Sequence, residues 1–416
     1  MRFAAVLLPA LLALPLCAGN QQEDVNVNSR YIVESVHVTG KPALQLSQDL
    51  RKDVESVIGQ NLDHGVLDRL ASRLKRELRV ERVDVRVDRG RVPDHVSVEF
   101  QVEDGGRKRF DLDVTKFAYH SRQGWTGAGE GRAHFGENTL ALGLVSDGDE
   151  LVERFAGLRT RWERRSLGTS RVRVALGFDT YHQQWNRSTI SAAQSAGLSS
   201  ELYRSRNSLQ PSMSIALSDP VTLSFGANFQ QLEPQLPGAR TVSSNTANVT
   251  LSAHRTWQDD ASTTHALDAA YRLRAATALL ASDYIYVRHE GDVRYQAVNG
   301  RHGLTVDFTA GTIGGHAPMY ERFVLGTAST LRGWSKFDLA PLGGDRAVHG
   351  SVDYRYRVFT VFYDSGVVWT GTTSTGPKHS AGVGFRTDGR EGLLIAVAFP
   401  FRAGHFDPMF IMGFNF

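Results

Sequence analysis

The residues of this chain best placed for chemistry are charged side chains set singly among apolar ones. In Val352-Asp-Tyr-Arg-Tyr-Arg-Val358 apolar and charged positions alternate without a break. The stretch from Thr360 repeats the pattern. Phe362, Asp364 and Gly366 fall on one face of an extended strand, and Val361, Tyr363, Val367 and Trp369 on the other. If the apolar face meets lipid, Asp364 points into the interior. A carboxylate shielded from water needs a cation there, and a guanidinium can contact both of its oxygens. Only 7 of the 47 basic residues are lysine, and arginine suits fixed, multidentate pairing in confined polar space. The chemistry these residues offer is charge pairing.

Motifs for bond making are lacking. Gly127-Ala-Gly-Glu-Gly131 has neither the lysine nor the helix of a phosphate loop and reads as a strand-start cluster. The 14 histidines include no His-Glu-x-x-His or similar close set, so no metal or cofactor is expected. Asp388-Gly389 after Thr387 reads as a hairpin turn. The expectation is that the protein is not an enzyme. A net charge of +3 gives no case for nucleic acid.

These charges need strands to carry them. From about Phe110 the sequence is a succession of alternating segments of roughly ten residues separated by polar turns. Val172, Val174, Leu176 and Phe178 alternate with Arg173, Ala175, Gly177 and Asp179, and Leu304, Val306, Phe308 and Ala310 with Thr305, Asp307 and Thr309. Sixteen such segments are expected, beginning near residues 110, 126, 151, 170, 203, 220, 245, 264, 284, 302, 321, 348, 359, 379, 391 and 408. The last places Phe410, Met412, Phe414 and Phe416 on one face. A greasy terminal strand is an aggregation hazard in water and fits a closed barrel in lipid. The fold expected is therefore mainly β: a 16-stranded transmembrane antiparallel barrel over 110–416.

A different period precedes it. The region 1–19 reads as a secretory signal, with Arg2, an apolar core from Ala4 to Leu16 and a small-residue cleavage region. Cys17 is the only cysteine, and Leu16 before it departs from a lipidation signal. After a linker, 20–30, residues 31–104 form a compact β-α-α-β-β unit. A strand from Tyr31 ends at Gly40. Leu46, Leu50, Val54 and Val57 make one helical stripe, from Ser47 to Gly59, and Leu67, Leu70, Leu74 and Leu78 a second after Asp63. Strands around Val83–Val87 and Val96–Val102 close the unit across a turn at Gly90–Pro93.

Between residues 321 and 369 the chain carries Arg322-Phe-Val-Leu-Gly326, Leu331-Arg-Gly-Trp334, Gly343-Gly344, Asp353-Tyr-Arg355 and Phe362-Tyr-Asp364-Ser-Gly366. This set resembles the C-terminal barrel of the BamA/two-partner-transporter superfamily, outer-membrane assembly and secretion proteins also called bacterial surface antigens. The β-α-α-β-β unit resembles the POTRA domain that precedes such barrels, so the resemblance covers nearly the whole mature chain. It implies that Arg332, Gly333 and Trp334 lie on a long extracellular loop folded back into the barrel. It also implies that Phe362, Asp364 and Gly366 receive them. Arg332 then becomes the cation for Asp364, and Gly333 and Gly366 let the backbones approach.

The function so implied is insertion or translocation of other polypeptides, by β-barrel assembly or secretion, through the seam between first and last strands. Gly413 either weakens that seam or fits lumen packing. The expected partners are outer-membrane lipid, unfolded outer-membrane or secreted polypeptides, and periplasmic chaperones or accessory lipoproteins. The expected location is the outer membrane of a diderm bacterium, with the N-terminal domain in the periplasm. The chain departs from the assembly protein and the two-partner transporters in having room for a single POTRA. A single-POTRA barrel also occurs behind a patatin-like lipase, whose Gly-x-Ser-x-Gly elbow this chain lacks. The alternatives are a passive channel or structural barrel, or an anchor or transporter for a separately encoded passenger.

Overall fold

The computed structural model describes residues 31–39, 48–78, 82–103, 110–169, 171–259, 262–387, 392–402, 404 and 407–414. The expected signal and linker, Gly40, Leu46, Ser47, the Asp388-Gly389 turn and Phe416 lie outside them. The chain divides into two compact units between Lys108 and Arg109.

In the first unit, strand Ile32–Thr39 is followed by helices Gln48–Glu55 and His64–Leu78 and strands Arg82–Arg89 and His95–Glu103. His95–Glu103 is the central strand, parallel to Ile32–Thr39 and antiparallel to Arg82–Arg89. The leucine spacing has the expected result. Leu67, Leu70 and Leu74 join Leu50 and Val54 against Val98 and Phe100, so both helices pack on one sheet face. A fully buried leucine such as Leu74 contributes about 1.5–3 kcal/mol. The second helix begins where Asp63 Oδ1 accepts from the Gly65 N–H at 2.8 Å, satisfying a donor the helix cannot.

In the second unit, sixteen antiparallel strands close on themselves, with the two-residue pairs Val242–Ser243 and Thr373–Ser374 extending hairpins. The first strand, Phe110–His120, pairs with Gly124–Phe135 on one side and with the last strand, Met409–Phe414, on the other. Alternation decides which side chains face lipid. On Phe359–Thr370, Val361 and Tyr363 are 49% and 43% exposed, whereas Phe362 and Asp364 are buried. Closure pairs every strand, as hydrocarbon requires. No helix among the described residues is long and apolar enough to cross a membrane.

The total of sixteen arises from two compensating differences. Asn138–Asp147 is a strand, with Leu140, Leu142 and Leu144 facing outward, that falls between the segments expected near 126 and 151. The two-residue turn at 136–137 joins it so tightly to the preceding strand that both read as one alternating run. The strand expected near 321 does not form. Met319–Glu321 is a single 3-10 turn, and the residues after it run irregularly into the lumen. Phe323 and Leu325 alternate because they are buried inside, not because they cross lipid.

Candidate functional site: a loop locked inside the barrel

Strands His302–His316 and Arg346–Tyr356 are direct neighbours, yet residues 317–345 separate them in sequence. That segment folds into the bore and buries Phe323, Leu325, Ala328, Leu331 and Trp334. Gly333 makes the approach feasible. Its φ is 90°, and a Cβ there would stand 3.2 Å from both the Ala398 side chain and the Pro400 nitrogen on the wall. Leu331, just before, holds a φ of 46°, a strained value that the surrounding contacts impose.

Between them Arg332 is fully engaged. Its Nε donates to Asp364 Oδ2 at 2.9 Å and its Nη2 to Asp364 Oδ1 at 2.6 Å. Nη1 and Nη2 also reach the two oxygens of Asp353, at 3.0 and 2.5 Å, and Nη2 lies 2.8 Å from Ser351 Oγ. The backbone N–H of Arg332 adds a 2.8 Å bond to Asp364 Oδ2. The guanidinium sits 3.7 Å from the centre of the Phe362 ring. One planar cation thus spans two carboxylates from adjacent strands, a task for which its fork geometry suits it. Arg332 and Asp364 side chains are 6% and 1% exposed, so Asp364 depends on the arginine for its charge partner.

The other expected residues surround this pair. A Cβ on Gly366 would meet Leu325 of the loop at 2.8 Å, so its bare backbone makes room for that side chain. Trp334 Nε1 donates to the His379 carbonyl at 2.9 Å, and Arg402 stacks 4.5 Å from its ring. Phe410 stands near Tyr119, and Phe414 is stacked on Phe117, both on the outer face; Met412 is half-buried beside them. The inward side of the same strand is Met409 and Ile411.

Sequence reasoning missed several contributors. Asp353 was visible as an inward charge, but its sharing of Arg332 depends on the pairing of Asp353 with Phe362 across two strands. Lys336, 2% exposed, donates to the carbonyls of Gly148 at 2.7 Å and Asp149 at 3.2 Å, and to that of Leu151. Asp149 in turn accepts from the Ala328 N–H at 2.9 Å. Nothing local in the sequence marks these as loop contacts. No group of residues suited to holding a metal occurs among the described residues.

The loop also touches the seam. Ala328 packs with Leu394, Ala396 and Ala398 and with Ile411 of the last strand. From the hairpin after the first strand, Gln123 Nε2 donates to the Gly326 carbonyl at 2.5 Å. Among the described residues the seam runs from Ile411 opposite His120 to Phe414 opposite Phe117, and the Ser121 N–H donates to the Phe410 carbonyl at 3.0 Å.

The barrel itself matches a known class. Residues 160–416 match the Omp85 superfamily domain, and the chain belongs to that superfamily of outer-membrane β-barrels. Among solved structures it is similar to BamA from Haemophilus ducreyi lacking POTRA domains 1–3, with 14% identity and a TM-score of 0.56 over 92% of this chain and 84% of that one. It is also similar to CdiB from Acinetobacter baumannii, with 12% identity and a TM-score of 0.55 over 93% of this chain and 74% of that one. No curated protein sequence gives a significant match.

Proposed function

We propose that this protein inserts or translocates other polypeptides at the outer membrane, using the seam between its first and last strands. The observation that carries the reading is the loop tip lodged behind the seam. The first and last strands meet from Ile411 opposite His120 to Phe414 opposite Phe117 among the described residues. If that pairing opens, an incoming extended segment gains backbone hydrogen bonds along the freed strand that lipid cannot supply. The loop tip, clustered with Ile411 of the last strand and bonded to Gln123 beyond the first, braces both sides of the seam, and Arg332 holds the tip in place.

The small N-terminal unit fits a periplasmic role, because its outer strands offer sheet edges to extended clients. Membership in a superfamily of assembly and secretion barrels agrees with this reading. The test is depletion of the protein followed by quantitative measurement of outer-membrane and surface proteins. A fall in a defined set of them is expected, and an unchanged profile overturns the proposal.

A further inference from the structure

We infer that Tyr320 and Glu321 form a second, independent anchor that holds the root of the loop when the Arg332 contact opens. Glu321 is 2% exposed, and both its oxygens lie 3.0 Å from Arg274 Nη1. Arg288 Nε stands 3.6 Å from the same carboxylate, and the Arg288 guanidinium lies 4.5 Å from the Phe323 ring. Tyr320, also buried, donates to Ser244 Oγ at 2.7 Å. The Arg206 guanidinium sits 4.8 Å from the Tyr320 ring and 5.2 Å from that of Tyr181.

These partners belong to another arc of the wall. Arg206, Arg274 and Arg288 come from strands Tyr203–Ala216, Thr264–Ala276 and Ile285–Asn299, whereas the Arg332 partners come from Arg346–Tyr356 and Phe359–Thr370. A cavity of 380 Å³ is lined by Arg274 and Glu321 from the root anchor and by Thr330 and His349 beside the tip. Two buried ionic contacts that share no partner and border a void are energetically separable. Release of Arg332 therefore frees the tip, while the root keeps the loop in the bore and returns it to its site. The inference rests on the proposed bracing of the seam by the loop, and it assigns Glu321 and Tyr320 as positioning residues.

The experiment uses the purified mature chain in detergent, with single cysteine reporters at the root, Met319→Cys, or the tip, Ala328→Cys, and with Cys17→Ser so that no unprocessed chain is labelled. Both sites are fully buried. With Arg332→Ala, maleimide labelling at the tip is expected to rise about tenfold or more while the root stays protected; with Glu321→Gln the pattern reverses. Joint acceleration of both reporters in either background overturns the inference, as does an unchanged root in Glu321→Gln. If Glu321→Gln gives no folded barrel, Tyr320→Phe removes only the hydroxyl bond and is read at the same reporter. Root labelling faster by about threefold supports the anchor, and no change overturns it. Labelling needs no client, so this outcome is separate from that of the depletion experiment.

Discussion

Asp353 and Asp364 sit on neighbouring strands and share a single arginine, yet they receive it unequally. Asp364 takes two side-chain bonds and the backbone N–H of Arg332, whereas Asp353 takes two side-chain bonds alone. Asp364→Asn should therefore destabilise the barrel more than Asp353→Asn. The expected losses are about 2–4 kcal/mol for the first and about 1–2 kcal/mol for the second. Urea titration of the folded gel band measures both; equal losses would remove the ranking.

Arg332→Ala leaves the buried Asp364 and the half-buried Asp353 without this cation and should cost on the order of 3–5 kcal/mol. Arg332→Lys restores a positive charge but not a planar fork, so it should recover less than about half of that loss. Heat-modifiable mobility of the two variants beside the parent gives the comparison. A lysine variant as stable as the parent would show that charge alone suffices.

The Phe362 ring occupies the space beside Gly382, where a Cβ would overlap it. Gly382→Ala must displace the ring from under the Arg332 guanidinium, at an overpacking cost of about 1–3 kcal/mol. Phe362→Leu in the same chain should return part of that stability. Failure of the second substitution to help would place the strain elsewhere.

Ala118 and Gly413 face one another across the seam. Directly opposed antiparallel residues stand about 4.5–5.5 Å apart at Cα, within disulfide range. Ala118→Cys with Gly413→Cys should therefore close the barrel covalently under oxidation. Export or insertion of the client is expected to fall about tenfold and recover on reduction. Full activity in the oxidised form would exclude the seam as the route.

Alternation made the barrel legible because lipid and lumen impose opposite demands on successive side chains. It marked Asp364 as inward and Phe410 and Phe414 as outward. The same signal misled at Phe323 and Leu325, since a loop packed inside a bore also hides every second side chain. It could not assign Asp353 to Arg332, or Glu321 to Arg274, because those contacts depend on where distant strands stand around the ring. The two leucine stripes of the small unit were readable because each helix has a single surface to cover.

The segment from Glu321 to Trp334 is fastened twice by charge, to Arg274 at one arc of the wall and to Asp353 and Asp364 at another. Any change in the ring that draws those two arcs apart must strain the loop or break one of its ion pairs, so the loop ties together strands that are not neighbours in the sheet.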